Sequence, residues 1–541
     1  MLSITSNRIY SPAHILRPRR IALAVASASA MLALTANAHA AGLDRSTQPS
    51  WGIAQDGTYA YAEHVTIAPK VSGKDNLGRK TGNMTEDYKF TSYGVKADVN
   101  DSLSFGVFFD EPWGADVQYS GDNSFVGAPN AVINGLYAQA AKNLQAAGIN
   151  ANITSAANLQ NTIAGLQNQV TAGENQLTAA SSQLTQAQSQ LDAAKTQLTQ
   201  AQAALAANPN LASALNPKIA ALEQGIATGT AKLDAGKAQF EVGQKQVAAG
   251  KGAIKTLSGL QAATTPLSQN TEGTKVKVSS KKIAGVFGVK FGENKNWQVY
   301  AGPSFQKLEG EVRLRGDSYK TATNYEAMIP TSSAVGWLAG VAYSKPEIAL
   351  KASLTYRSEI DHDLNIGENL PLYALRGGNP RQTNQVTVTT PQSVNLDFQT
   401  GLNKTTLLTG KVRWVPWSDF AIKPKLYGDV SGLNLVDYDK DSWAVDIGVG
   451  KKVSDRWAVS GQVTWDSGAG DPVTSLGPVD GYWGLGLGVR YNLTPEWSAS
   501  VGAKYLMFGD AKARLPDNTI VGKFEDNHAT VYGLRLTYQK K

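Results

Sequence analysis

Between Trp297 and the C-terminus a unit recurs: a polar turn ends, a tryptophan follows, and apolar and polar residues then alternate for about ten positions. Trp457, Val459, Gly461, Val463 and Trp465 share one face, and Ala458, Ser460, Gln462, Thr464 and Asp466 share the other. The next unit sets Trp497, Ala499, Val501, Ala503, Tyr505 and Met507 against Ser498, Ser500, Gly502, Lys504, Leu506 and Phe508. Period two means β-strand. An apolar face ending in aromatics, opposite a small or polar face, fits a strand with lipid outside and a lumen inside. Gly484, Gly486 and Gly488 alternate with Leu485 and Leu487 and read as small residues lining a narrow lumen, not as a phosphate loop.

The same pattern marks fourteen strands. They are expected at Thr58–Val71, Asp87–Val99, Leu103–Tyr119, Lys275–Phe291, Trp297–Arg313, Ala334–Tyr343 and Ile348–Leu364. The rest fall at Val386–Phe398, Lys404–Trp414, Trp443–Val453, Trp457–Asp466, Tyr482–Asn492, Trp497–Phe508 and His528–Tyr538. An even count suits a closed antiparallel transmembrane barrel, which leaves no unpaired edge in lipid. Short turns such as Ser454–Arg456 and Thr494–Glu496 alternate with long loops around 317–333, 365–385, 467–481 and 509–527. In outer-membrane barrels the short turns are periplasmic and the long loops extracellular.

The largest insertion, 121–270, changes period. Ile163, Val170, Leu177, Leu184, Leu191, Leu198 and Leu205 are seven apart, as are Ile219, Ile226, Leu233, Phe240, Val247 and Ile254. The second core position is small: Gly173, Ala180, Ala187, Ala194 and Ala201, then Gly229, Gly236, Gly243 and Gly250. Period seven predicts an extracellular antiparallel coiled-coil hairpin whose helices approach closely, with Pro209 and Pro217 in the turn. Arms of ~40 residues would span about 60 Å.

Residues 1–40 read as a secretory signal: Arg17, Arg19 and Arg20 precede an Ala-rich apolar run, and Ala38-His39-Ala40 is a small-x-small cleavage site. That segment holds four arginines and no acids, so its removal leaves +3 of the net charge of +7 and no argument for nucleic acid. Apart from it, no run of 18 apolar residues exists, which excludes a helical membrane protein. There is no cysteine, so disulfides, thiol nucleophiles and thiolate metal sites are excluded. Only His64, His362 and His528 remain beyond the signal, scattered, and neither a metal site, a cofactor site nor a catalytic set is expected. The expected organisation is signal peptide 1–40, a short N-terminal plug 41–57, barrel strands 58–120, the helical insertion 121–270 and barrel strands 271–541.

Two places carry candidate chemistry. Arg357, Glu359 and Asp361 alternate with Tyr356, Ser358 and Ile360 and are expected to face the lumen, paired with one another or forming a polar path. Asp110-Glu111-Pro112-Trp113-Gly114 interrupts the third strand: proline removes a ladder donor and glycine permits a bend, so a local break in the wall is expected.

The barrel segments resemble the FadL/TodX family of outer-membrane transporters. The resemblance is carried by Leu354-Thr355-Tyr356-Arg357-Ser358-Glu359, by the strand ending in Trp113-Gly114-Ala115-Asp116, and by Trp465-Asp466-Ser467 with Pro472 and Asp480-Gly481-Tyr482-Trp483. It implies a fourteen-stranded barrel in the outer membrane of a Gram-negative bacterium, plugged by an N-terminal hatch. Hydrophobic molecules, long-chain fatty acids first among them, would be captured at the extracellular loops and released sideways into lipid through a kink at Pro112, Trp113 and Gly114. The implied pocket residues are Arg313, Lys440 and the N-terminal Leu43. Glu111 falls where the family carries a small hydroxyl residue, and an acid there disfavours a carboxylate, so neutral hydrophobic compounds stand as the alternative. A monomer, embedded in outer-membrane lipid, is expected. An adhesin or receptor that works through the hairpin is a further alternative.

Overall fold

The computed structural model describes residues 43–46, 48 and 51–540; the expected signal segment lies outside them. Fourteen antiparallel strands form a closed barrel. They are β1 (Thr58–Lys70), β2 (Tyr88–Asp98), β3 (Leu103–Asp110, then Gly114–Gln118), β4 (Lys275–Phe291), β5 (Trp297–Arg313), β6 (Glu326–Lys345) and β7 (Leu350–Arg357, then Ile360–Asn369). They continue as β8 (Arg381–Thr390, then Ser393–Asn403), β9 (Thr406–Val415), β10 (Ser442–Lys452), β11 (Trp457–Asp466), β12 (Asp480–Asn492), β13 (Trp497–Gly509) and β14 (His528–Lys540). Closure is made by β1 against β14, in an unbroken register from Thr58↔Lys540 to Lys70↔His528.

The alternation read from the sequence holds. Trp457, Val459 and Val463 face outward, and Leu485 and Leu487 are 59% and 76% exposed, while Gly484, Gly486 and Gly488 turn inward. A Cβ on Gly484 would lie 2.6 Å from Thr464, so small residues there let neighbouring lumen side chains cross. Aromatic pairs from adjacent strands form two girdles. Trp457–Tyr491, Trp497–Tyr538 and Trp297–Tyr343 lie at the short-turn end, with ring centres 4.7, 5.0 and 4.8 Å apart. Trp414–Trp443, Trp465–Trp483 and Trp337–Tyr356 bound the apolar band on the other side. Such girdles sit at the two membrane interfaces.

Three strands are broken where one continuous strand was expected. β3 stops at 111–113, β7 at Ser358-Glu359 and β8 at Pro391-Gln392. Strand β6 begins eight residues before its expected start, at Glu326, and its register slips against β5 between Leu308 and Gly310. Each break turns the alternation by one residue. The lumen triad is corrected by this: Arg357 is inward and 5% exposed, but beyond the break Ile360, His362 and Leu364 take the inward positions. Glu359 and Asp361 are therefore on the outside, and Asp361 accepts a hydrogen bond from Thr389 at 2.6 Å. A one-residue slip moves every following side chain to the other face.

A second compact unit, Asn130–Gln269 with Ala374–Gly378, contains the inserted helices. They are α1 (Asn130–Ala146), α2 (Ala156–Ala207) and α3 (Ala212–Ser268). The long helices have 52 and 57 residues, so each runs roughly 80 Å at 1.5 Å per residue, longer than expected. Pro217, expected in the turn, lies inside α3, and Pro209 starts the connecting 3-10 turn. Leucine and valine of α2 and α3 pack onto glycines of the opposite helix in antiparallel order. A Cβ on Gly236 would lie 2.8 Å from Leu184, on Gly243 3.0 Å from Leu177, and on Gly250 2.6 Å from Val170. The glycines thus set the interhelical distance. No helix among the described residues is long and apolar enough to cross a membrane.

Replacing Gly236 and Gly243 with Leu overpacks this seam, and about 1–3 kcal/mol is expected to be lost per site. Far-ultraviolet circular dichroism should show the helical signal melting earlier while the barrel stays heat-resistant on gels. An unchanged helical melt would contradict the close-packing account.

Candidate functional site

The site is assembled from four parts: a hatch, a cavity above it, a cap of loops, and a parted seam in the wall.

The hatch is the chain just before β1. Its upper tier, Asp44–Gln48, is held by charges that point inward from the wall. Arg413 of β9, 2% exposed, donates from Nε and Nη2 to Asp44 Oδ2 at 3.0 and 2.9 Å, and from Nη1 to Asn395 at 2.9 Å. Arg357 of β7 donates to the Gln48 carbonyl at 2.5 Å, and Lys282 of β4 to Gln48 Oε1 at 3.1 Å. Ser46 donates to Asp110 of β3 at 2.9 Å. Charges out of water are tolerated only when paired and hydrogen-bonded, and the hatch completes that pairing. Its lower tier, the 3-10 turn Trp51–Ala54, inserts Ile53 among Tyr59, Tyr61, Phe108, Val286 and Tyr300. Lys96 caps the end of this tier, donating to the carbonyls of Gln55 and Gly57 at 2.7 and 2.9 Å.

Above the hatch lies a cavity of about 120 Å³ whose wall is almost wholly apolar. Strands give Ile366, Val388 and Ile329, and the connection between β9 and β10 gives Trp417, Phe420 and Tyr438. Trp417 meets Trp113 edge-on at 5.4 Å and Tyr438 at 5.3 Å. The loops close over it. A four-stranded sheet joins Lys74–Asp75, Ile520–Phe524, Ala511–Arg514 and Val473–Thr474. The short helix α4 (Lys425–Ser431) is fixed by Glu368, which accepts from the amides of Leu426 and Tyr427 at 3.2 and 3.1 Å and from Tyr325 at 3.0 Å. Between loops, Lys320 donates to Asp517 at 3.0 Å, and hydrogen bonds from Thr519 and Lys320 hold that carboxyl at about 2.

The seam between β2 and β3 parts beside the cavity. Their ladder ends at Tyr93↔Phe109, and further up the isolated bridge Thr85↔Val117 and the Tyr88 hydroxyl, bonded to the Asp116 backbone, join the two sides. The break at 111–113 removes β3 from its partner. Its backbone groups find others instead. Trp113 N–H donates to Ser280 Oγ, and that hydroxyl donates back to Trp113 O, both at 2.8 Å. From inside, Arg45 N–H donates to Pro112 O and Gly114 N–H to Leu43 O, each at 2.8 Å, and Asp44 bridges Trp113. The hatch therefore takes the place of the missing neighbour.

Of the residues named from the sequence, Leu43 and Trp113 line the cavity, while Pro112 and Gly114 sit at the break. Glu111 is beside the break, partly exposed, and does not line the cavity. Arg313 and Lys440 do not meet. Arg313 pairs with Glu311 and Glu272 at 3.3 and 3.5 Å, away from the cavity, and Lys440 is exposed in a loop. Arg357 serves the hatch. Sequence reading missed Asp110, Lys282 and Arg413, whose signal was a charge at an inward strand position, and Asp44, which lies in the hatch and carried none. It also missed Trp417, Phe420 and Tyr438, whose signal was aromatic density in the connection between Trp414 and Trp443. Among the described residues no cluster fit to hold a metal ion is found.

A closed barrel with a plugged lumen, an apolar cavity and a parted wall is an outer-membrane channel of the kind that handles hydrophobic compounds. The family described as outer membrane protein transport protein (OMPP1/FadL/TodX) matches residues 137–539, and the chain belongs to it. No curated relative matches. Among solved structures, a Pseudomonas aeruginosa FadL homologue is 13% identical with a TM-score of 0.53, covering 91% of this chain and 92% of that one. The P. putida toluene transporter TodX is 9% identical, TM-score 0.47, covering 91% and 93%. The Ralstonia pickettii toluene transporter TbuX is 9% identical, TM-score 0.46, covering 91% of each. The protein is thus a hydrophobic-compound transporter of the outer membrane.

The hatch account predicts a conductance change. Asp44→Ala leaves a buried guanidinium without its carboxylate, a loss of about 3–5 kcal/mol. The variant should pass ions in planar bilayers in openings that the parent lacks. A variant as silent as the parent would show that the lower tier alone closes the lumen.

Proposed function

We propose that the protein takes up small neutral hydrophobic molecules, up to about one ring in size, and releases them sideways into the membrane between β2 and β3. The cavity carries this reading. A cavity of roughly 150 Å³ lined by apolar side chains stays dry and accepts benzene, and here about 120 Å³ is enclosed by a wall of the same character. A long-chain carboxylate needs more length and a cation for its head. Neither Arg313 nor Lys440 reaches the cavity, Arg413, Arg357 and Lys282 are engaged by the hatch, and Arg45, the cation that does line the cavity, has its guanidinium laid on the Tyr88 ring. Of the two ligand classes the family resemblance leaves open, the neutral one fits better.

The sideways route is supported by the seam and by the hatch together. Below the cavity the lumen is filled by two tiers of hatch. Beside it, the wall lacks a ladder between Tyr93↔Phe109 and the bridge at Thr85↔Val117. Outward residues just below the break, Phe105, Ile283 and Phe287, are apolar, whereas Lys281 and Lys277 follow above, so the break lies at the outer edge of the apolar band.

Two measurements test this. Toluene should change the tryptophan emission of the purified barrel, and Trp417→Phe should remove most of that change. Val388→Trp fills the cavity and should weaken toluene binding at least about tenfold, equivalent to ~1.4 kcal/mol, with heat-modifiability retained. Palmitate binding tighter than toluene would favour the fatty-acid reading. For the route, Thr91 and Glu111 fall opposite each other when the β2–β3 register is continued two positions beyond Tyr93↔Phe109. The chain has no cysteine, so Thr91→Cys with Glu111→Cys offers one thiol pair. Cross-linking it should stop toluene uptake, and reduction should restore it. Uptake that continues when the seam is cross-linked would move the exit to the barrel axis.

A further inference from the structure

Arg45 occupies a position that the proposed route does not explain. Its backbone is fixed to the kink through Pro112, and its neighbour Asp44 is clamped by Arg413. The side chain runs the other way, into the parted seam. Its guanidinium carbon lies 3.7 Å from the ring centre of Tyr88, at the start of β2. Tyr88 reaches across the gap: its hydroxyl donates to the Asp116 carbonyl of β3 at 3.2 Å and accepts from the Asp116 amide. On the β3 side stands Gly114. A Cβ there would fall 2.1 Å from Arg45 Cζ, so the guanidinium fills the notch that the missing side chain leaves. Arg45 and Tyr88 both line the cavity. Arg45 Nε has no hydrogen-bond partner.

We propose that the Arg45 side chain is the bolt of the lateral window, and that it makes the exit selective for aromatic over saturated hydrocarbons. The inference rests on the sideways-release reading. Two adjacent residues of one segment are held very differently. Asp44 Oδ2 takes two N–H groups of Arg413, while the Arg45 head is held by a face-to-ring contact and shape. Cation–π contacts are weak and exchangeable, so the side chain can leave Tyr88 while the hatch backbone stays docked. Leaving costs the cation its ring. An aromatic cargo arriving from the cavity offers a second ring, and the guanidinium can pass from Tyr88 to the cargo without losing its π partner. A saturated ring of the same size offers none, so the bolt opposes its passage.

The test compares toluene with methylcyclohexane in uptake by cells or vesicles carrying the full-length protein. The parent should favour toluene by about threefold or more, the scale of one cation–π contact. Arg45→Met keeps length and loses charge; methylcyclohexane uptake should rise and the ratio should fall to near one. Tyr88→Phe keeps the ring and should preserve the preference. Gly114→Ala should act like Arg45→Met in the parent, because its Cβ evicts the guanidinium, and should have no further effect in the Arg45→Met background. A ratio unchanged by Arg45→Met, or equally large effects of Gly114→Ala in both backgrounds, would overturn the proposal. The seam cross-link separates the two readings. If uptake persists when the seam is cross-linked, sideways release is wrong. If cross-linking stops uptake but Arg45→Met leaves the ratio intact, only the bolt is wrong.

Discussion

In hydrocarbon every backbone N–H and C=O must find a partner within the protein, and the rest of this structure follows from how that requirement is met at one break. Strand β3 carries Pro112, which cannot donate, and it parts from β2 above Phe109. Left alone, such an edge would expose unpaired groups near the membrane. Ser280 and the hatch residues Leu43 and Arg45 supply the partners instead. The opening in the wall and the plug in the lumen are therefore one device. The wall can be broken because the hatch bonds the broken edge, and the hatch is aligned because the edge is free to receive it.

Buried charge fixes the hatch a second time. Arg413, Arg357 and Lys282 come from three strands spread round the barrel, and Asp110 comes from the strand that breaks. None could be retained in a dry lumen unless paired. Between this charged tier and the loop cap the lining changes to aromatic and branched aliphatic residues. That change coincides with the breaks in β3, β7 and β8, each of which resets which side chains point inward. Polar floor and apolar chamber are thus made from the same strands by single-residue slips.

Much of this was legible in the chain. Period two with terminal tryptophans placed all fourteen strands, and three of them, Lys275–Phe291, Trp297–Arg313 and Trp457–Asp466, agree to the residue. The Pro112–Gly114 break was visible because proline and glycine are excluded from regular strand interiors. The heptads found the helical insertion, though not its full length. What failed was whatever depended on phase after an irregularity. Glu359 and Asp361 were placed inward because nothing in Ser358-Glu359 announces a slip. The hatch contacts were hidden for another reason: Asp44 and Arg413 are distant in sequence, and a carboxylate in a linker carries no mark of the guanidinium it will meet. The pocket aromatics lie in a loop, where periodicity has no meaning.

The central claim is that a small neutral molecule rests between hatch and cap, beside the parted seam. A crystal of the full-length barrel soaked in 4-bromotoluene measures this most directly, because bromine scatters anomalously. The account predicts one strong anomalous peak enclosed by Trp113, Trp417 and Val388. A peak below the hatch in the polar lumen, or bromine only among the exposed loops with the chamber empty, would contradict it.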